Sequence, residues 1–166
     1  MFKHKIFFSR EKNGLGSLNA RVYISRAVRA ALEAENVDLP CEMSVLLTDD
    51  EGIHALNKQF RDVDSATDVL SFPANNFVPG AFDPSNAERD PKTGRIVLGD
   101  MALSIEHARA QGEEFGHGTK REIQYLTVHS VLHLLGYDHM DEGEQKRQMR
   151  AREKEIMARL EGVREE

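Results

Sequence analysis

Three histidines stand on an almost wholly apolar background in the segment HSVLHLLGYDH, residues 129–139. On an α-helix, His129 and His133 would share one face, with their Cβ atoms roughly 6 Å apart. Gly136 suits the left-handed conformation that ends a helix, so the chain can turn back and bring His139 to the same point. The segment therefore predicts that three imidazoles meet around one metal ion at the end of a helix.

The helix that carries the first two histidines is predicted to lie at the centre of the fold. Thr119 and Glu122 have the spacing of a capping box, which predicts a helix from there to about Leu135. Apolar residues cover nearly every side of this helix: Ile123, Leu126, Val128, Val131, Leu132, Leu134 and Leu135. A helix that is apolar all round is usually buried, so the metal site would be built on a core element.

The ligand set favours a catalytic zinc ion. Three neutral imidazoles leave a divalent ion its full charge and keep a fourth position open for water, although imidazole also binds nickel, copper and iron. A lone histidine on an apolar helix would usually be structural, but three at this spacing favour metal binding. The other four histidines lack that spacing and are interpreted as surface or structural residues: His4, His54, His107 and His117.

The position that follows the first histidine separates this chain from zinc proteases. Those enzymes place a glutamate there, and it takes a proton from water. Here the residue is Ser130, whose hydroxyl is no base near neutral pH. Phosphodiester hydrolysis is a different problem, since its charge develops on phosphoryl oxygens that a metal ion and an arginine can stabilise.

Arg61 is the candidate arginine. It comes at the end of a predicted helix that begins near Asp49, and its planar guanidinium could bind two phosphate oxygens. Alternatively, it complements the helix dipole or pairs with Asp64. Asp68, at the start of the next predicted strand, could orient it. Residue type alone leaves these interpretations open.

Composition limits the remaining possibilities. The chain has 166 residues, a net charge of −6 and one cysteine, which predicts one domain over residues 1–166 in a reducing cytoplasm. It has no apolar run of the roughly 18 residues that a membrane span needs, and its short N-terminal apolar stretch does not predict a signal peptide. The acidic balance weighs against a broad basic surface for nucleic acid, but it leaves room for a local basic groove or for binding assisted by a cationic metal.

The hydrophobic pattern predicts an α+β fold with strands near residues 5–9, 42–48, 68–72 and 94–103. Helices are predicted near residues 17–35, 49–60, 104–114, 119–135 and 141–160. The loop between Phe72 and Gly94 holds four of the five prolines and is either part of a site or a mobile surface insertion. Basic residues of the last helix alternate with glutamates that include Glu144 and Glu153, which favours a solvated face of ion pairs.

Three segments resemble the YbeY family of metal-dependent endoribonucleases. HSVLHLLGYDH looks like that family's H-x3-H-x5-H motif, FRDVDSATDVLSFP resembles its segment from an arginine to TDVLSFP, and LGDMALS resembles its LGDIxIS strand. The likeness covers about residues 42–140. Ser130 replaces a glycine that is usual after the first histidine, and Ala66 stands where proline is common; neither change removes a ligand.

The resemblance implies a zincin-like α+β fold, in which a mixed four-stranded sheet packs on helices around a central metal-binding helix. It implies zinc held by His129, His133 and His139, with Arg61 and His129 as catalytic residues. It also implies a hydrolase that cleaves single-stranded RNA in 3′-end maturation of small-subunit rRNA and in ribosome quality control. Ribosomal subunits or ribosome-associated proteins would be its partners.

Two other functions remain open at this point. One is a zinc peptidase or amide hydrolase, which would need a base from elsewhere, such as Asp100 or Glu122. The other is a non-catalytic ribosome-assembly factor whose zinc only stabilises the fold.

Overall fold

A computed structural model of the chain describes residues 4–10, 19–138 and 143–162. In these ranges, the strands are β1 (Lys5–Arg10), β2 (Cys41–Thr48), β3 (Val69–Pro73) and β4 (Ile96–Ser104). The helices are α1 (Ala20–Ala34), α2 (Asp50–Arg61), α3 (Ile105–Glu114), α4 (Gly118–Leu134) and α5 (Glu144–Gly162). Each predicted element is present, and its described ends fall within a few residues of those predicted.

The strands form one mixed sheet in the order β1-β2-β4-β3. β1, β2 and β4 run parallel, and β3 pairs antiparallel with β4 at the edge. Side chains alternate along β2, where Met43, Val45 and Leu47 are buried on one face and Leu46 packs on the other. The predicted α+β fold with a mixed four-stranded sheet is confirmed.

The main core lies between one face of the sheet and the helices α1 and α4. Helix α4 contacts α1, α3, α5, β3 and β4, and most of its residues are buried, as the apolar residues on all its sides predict. Cys41, the one cysteine of the chain, is fully buried in this core. Within the described ranges, no helix combines the length and the hydropathy needed to cross a membrane.

The other face of the sheet is covered by α2 and a smaller apolar cluster around Ile53, Leu70 and Ala102. Asp49 begins α2, because its carboxylate accepts a hydrogen bond from the Gly52 N–H at 2.9 Å. Beside α2, a groove of about 470 Å³ lies between Phe60 and Phe72 on one side and the outer residues of β2 and β4. This face is therefore only partly filled by side chains.

The predicted capping box at the start of α4 is wrong. Thr119 lies inside the helix, and His117 stands at the N-terminal cap without a side-chain cap bond. The Glu122 carboxylate bonds instead to His117 Nε2 at 2.7 Å and to Gln111 Nε2 at 2.6 Å. The Glu122 carboxylate therefore bonds to a side chain of α3 and to the side chain of the cap residue, and not in the reciprocal pattern of a capping box.

Candidate metal centre

Helix α4 brings His129 and His133 together on one face. Their ring centroids are 4.7 Å apart and the rings are nearly perpendicular. The Nε2 atoms of the two imidazoles lie 3.2 Å from each other. The spacing of four residues therefore produces the convergence that the sequence predicts.

Each ring is held at its other nitrogen by an acceptor. His129 Nδ1 lies 2.5 Å from Oε2 of Glu153, and His133 Nδ1 lies 3.0 Å from the backbone carbonyl of Tyr137. A carbonyl or a carboxylate accepts a hydrogen bond, so both Nδ1 atoms carry the proton in the neutral rings. Both Nε2 atoms then present lone pairs towards the same point.

This arrangement fits a metal ion. Two nitrogen ligands of a tetrahedral zinc lie about 3.3 Å apart when each is roughly 2.0 Å from the ion, close to the 3.2 Å observed. Two facing lone pairs repel unless a cation lies between them, and an imidazole oriented by an outer acceptor is the usual form of a metal ligand. The donor atoms present therefore suit a borderline-soft divalent ion.

The third predicted ligand, His139, lies outside the described residues. Among the residues that are described, no third His, Cys, Asp or Glu side chain joins the pair to make a metal-binding group. The turn that leads towards residue 139 is described as far as Asp138. The set of three ligands therefore stays a prediction, although two of them, His129 and His133, converge in the structure.

Gly136 shapes that turn, as predicted. Its φ is +103°, its N–H bonds to the His133 carbonyl, and the Tyr137 N–H bonds to the Leu132 carbonyl, each at 3.0 Å. This pair of bonds is the Schellman motif that terminates many helices. A Cβ built at Gly136 would overlap the backbone carbonyl of Phe77, so the proline-rich loop packs directly against the turn.

Arg61 ends α2 and reaches the edge of the sheet. Its Nη2 donates a hydrogen bond to the Ser71 carbonyl in β3, and its guanidinium lies 5.3 Å from the centre of the Phe72 ring. The predicted alternative of a pair with Asp64 is not what the structure shows, because Asp64 contacts His54 at 2.7 Å. Asp68 accepts from the Val69 N–H at 2.7 Å rather than orienting Arg61.

Ser71 connects this arginine to the histidine helix. Its hydroxyl lies 2.7 Å from that of Ser130, in a buried contact between β3 and α4. The residue that replaces the protease glutamate is thus engaged with the sheet. Arg61 and His129 are linked through two intervening residues, Ser71 and Ser130.

The two carboxylates considered as alternative bases lie in other surroundings. Asp100 is exposed and lines the groove on the α2 face of the sheet. Glu122 is 2% exposed and is bonded to Gln111 and His117. Neither carboxylate is directed at the histidine pair by a contact that the structure records.

Glu153 is the site residue that the sequence analysis missed. It was assigned to a solvated face of α5, but it is 5% exposed and contacts His129. The signal was present in the sequence, since Met149, Glu153 and Ile156 have the spacing of one helical face. Tyr125 donates from its hydroxyl to Glu153 Oε1 at 2.9 Å, and burial, followed by the charge of Glu153, raises the pKa of Tyr125.

The remaining histidines have structural contacts, as predicted. His107 Nδ1 lies 2.9 Å from Asp50, and His4 Nδ1 accepts a hydrogen bond from the Cys41 N–H at 3.0 Å. His54 and His117 each contact one carboxylate.

Comparison with known proteins assigns the chain to a family. The family model described as endoribonuclease YbeY matches residues 5–161, a span that includes Arg61, both converging histidines and Glu153. The chain belongs to the endoribonuclease YbeY family.

Individual relatives agree with that assignment. The endoribonuclease YbeY of Clostridium botulinum (strain Loch Maree / Type A3) is 46% identical over 144 residues, covering 81% of this chain and 84% of the relative. The endoribonuclease YbeY of Agathobacter rectalis is 46% identical over 122 residues, covering 70% and 74% respectively. Each match therefore covers most of this chain and most of the relative.

A solved structure shares the fold. The solution structure of a Thermotoga maritima protein superposes with a TM-score of 0.54 and 20% identity, covering 95% of this chain and 92% of the other. At this identity, the likeness shows the fold alone.

Proposed function

We propose that residues 1–166 form one metal-dependent endoribonuclease domain that cleaves single-stranded RNA, with zinc as its ion. Membership of the YbeY family supports a hydrolytic nuclease that depends on a metal and acts on RNA. The observation that carries the proposal is the convergence of His129 and His133 Nε2 atoms, 3.2 Å apart, with each Nδ1 held by an acceptor. His139 would complete the ligand set.

When bound, zinc would supply a positive charge that polarises a phosphoryl oxygen or lowers the pKa of a water molecule. His129 and His133 bind and orient the ion through their Nε2 atoms. Glu153 and the Tyr137 carbonyl keep the proton on Nδ1 of the respective ring. The protein's own task at this centre is therefore to hold two lone pairs in fixed directions.

Arg61 is proposed to bind and stabilise the scissile phosphate. Its side chain is exposed at the edge of β3, and its hydrogen bond to the Ser71 carbonyl with its position over Phe72 fixes the guanidinium plane. A guanidinium carries five N–H donors in a rigid fork, so donors remain for a phosphate. A point charge such as lysine would not reproduce this geometry.

Substrate delivery is proposed to depend on partners. The net charge of −6 gives little electrostatic attraction for free RNA, whose affinity comes largely from phosphate contacts. We propose a cytoplasmic protein that acts on small-subunit rRNA at its 3′ end, and in ribosome quality control, with ribosomal subunits or associated proteins presenting the strand.

Metal content and RNA cleavage, measured on the same purified sample, test the proposal. The parent should carry about one zinc per chain and cleave labelled single-stranded RNA in preference to duplex RNA and to a peptide library. His133→Ala should lose both zinc and cleavage. His54→Ala is the matched control, because His54 contacts Asp64 away from the centre, and it should keep both.

Cleavage that persists in His133→Ala, or zinc-loaded parent protein without turnover, would overturn the proposal. In the second case, a structural zinc in an assembly factor would be the better description.

A further inference from the structure

Two adjacent residues of α5 are connected by hydrogen bonds to the histidine centre, Glu153 directly and Arg152 through intervening residues. Glu153 reaches the ring of His129 directly, at 2.5 Å. Arg152 reaches the segment that holds His133, through Glu35 and Tyr137. The last helix of the chain therefore supports both imidazoles by separate routes.

The Glu153 route consists of a buried carboxylate whose two oxygens are both used. Oε1 accepts the Tyr125 hydroxyl at 2.9 Å, and Oε2 accepts from His129 Nδ1. Burying a carboxylate is costly unless it is hydrogen-bonded or close to a cation. A metal ion on the far nitrogen of His129 would supply that nearby positive charge, while the carboxylate makes the imidazole a more basic ligand.

The Arg152 route fixes the carbonyl that orients His133. Arg152 Nε donates to Glu35 Oε2 at 2.6 Å, and its Nη2 donates to the Ala34 carbonyl at 2.9 Å. Glu35 Oε1 in turn accepts the Tyr137 hydroxyl at 2.6 Å. Tyr137 is thus anchored through its side chain, and its own backbone carbonyl accepts from His133 Nδ1.

We propose that Glu153 is a positioning residue that sets the metal affinity of the centre through His129, and that Arg152 acts likewise on His133 through Glu35 and Tyr137. This inference rests on the proposed metal site. It assigns a role to α5 that the ligand motif does not contain. Loss of an outer partner of a metal-bound histidine typically lowers metal affinity about 10- to 100-fold.

The test is zinc binding to the metal-free full-length chain, measured by competition with a chromophoric chelator. Glu153→Gln keeps the size and an acceptor oxygen but removes the charge, and its zinc affinity should fall about 10- to 100-fold. Glu144→Gln is the matched control, since Glu144 lies on the same helix, exposed and paired with Arg147, and its affinity should equal the parental one. Far-ultraviolet circular dichroism of the metal-free proteins verifies that each variant is folded.

The visible absorption of bound Co²⁺ provides a readout that a purely structural role would not move. Its bands should shift in Glu153→Gln, because the ligand strength of His129 changes, and stay parental in Glu144→Gln. Glu153→Asp retains the charge on a shorter side chain and should bind zinc with intermediate affinity. If Glu153→Gln does not fold, Tyr125→Phe removes only one donor to the carboxylate and should still lower the affinity measurably.

Arg152→Gln tests the second route, and its zinc affinity should fall by a smaller factor, since His133 keeps its carbonyl acceptor. The outcomes separate the inference from the proposed function. Parental affinity in the folded Glu153 or Tyr125 variants, with zinc bound tightly by the parent, would overturn the inference alone. A parent chain that does not bind zinc would overturn the metal site and the inference together.

Discussion

The hydroxyl oxygens of Ser71 and Ser130 lie 2.7 Å apart in the buried contact between β3 and α4. Ser130 occupies the position of the catalytic glutamate of zinc proteases, and it is fully buried. The structure thus uses this position to join the histidine helix to the edge strand that also receives Arg61. The position that carries the general base in zinc proteases therefore makes a structural hydrogen bond in this protein.

Ser130→Ala should therefore lower stability rather than abolish chemistry. It leaves the buried Ser71 hydroxyl without its partner, which should reduce the free energy of unfolding by about 1–2 kcal/mol, measured by urea denaturation. RNA cleavage by the folded variant should persist. The double variant Ser71→Ala/Ser130→Ala should recover part of the loss, since removing both partners leaves no unpaired group; strictly additive losses would contradict a direct bond.

Arg61→Gln should lose catalysis while keeping the metal. Removing the charged fork should slow RNA cleavage about 10- to 100-fold, the equivalent of a lost hydrogen bond to a charged group, with unchanged zinc content. Lys58→Gln is the matched control, because Lys58 lies in the same last turn of α2 and is exposed. Equal cleavage rates for the two variants would remove Arg61 from the mechanism.

Gly136→Ala should disrupt the turn beyond the histidine pair. The residue has φ +103°, and an added Cβ would overlap the Phe77 carbonyl. Gly94→Ala is its control, since Gly94 has φ +75° but no atom within 4 Å of the added Cβ. For Gly94→Ala, thermal unfolding should show that the free energy of unfolding falls by about 1–2 kcal/mol, from backbone strain alone. For Gly136→Ala, the free energy of unfolding should fall further, and zinc binding should be weaker. Equal losses of unfolding free energy in the two variants would contradict this prediction, because they would show that the loop moves away from the added Cβ at little cost.

Cys41 should make the protein less stable in alkali. Burial raises the pKa of the Cys41 thiol from 9.0 to about 12, against the opposing effect of Arg89. The folded chain holds the Cys41 proton more tightly than the unfolded chain does. The thiol's contribution to the free energy of unfolding is therefore complete below about pH 9 and is lost as the pH rises towards about 12. The free energy of unfolding should fall more between about pH 8 and about pH 10.5 in the parent than in Cys41→Ala. Parallel profiles would exclude the thiol as the cause.

Features set by neighbours in the sequence were predicted well. His129 and His133 share a helical face whatever surrounds them, and Gly136 ends that helix by its own conformational freedom. The helix predicted near residues 104–114 begins as α3, where Ser104 caps it by accepting a bond from the His107 N–H at 3.1 Å. Such features depend on spacing within one or two turns.

Features set by tertiary contacts were predicted poorly. Glu122 matched a local capping motif, but Gln111 and His117 compete for its carboxylate. Glu153 matched a pattern of helical ion pairs, but Tyr125 and His129, which contact it, lie on another helix. The sequence signal for Glu153 was its place on the apolar face of α5, whereas the many charged residues of that helix favoured an exposed ion pair.

The bond between Arg61 and the Ser71 carbonyl has a second consequence, for solubility. β3 is an edge strand, and the bonds from Ala74 N–H to Leu98 and from Ser104 N–H to Asp68 put the even-numbered residues of this strand on its paired side. The Ser71 carbonyl therefore faces outwards, where the backbone of a second molecule could add a strand. A bulky cation occupies that acceptor, and Pro73 offers no N–H two residues on. The arginine proposed to hold phosphate thus also occupies a backbone acceptor at the edge of the sheet, which should hinder pairing with a second strand.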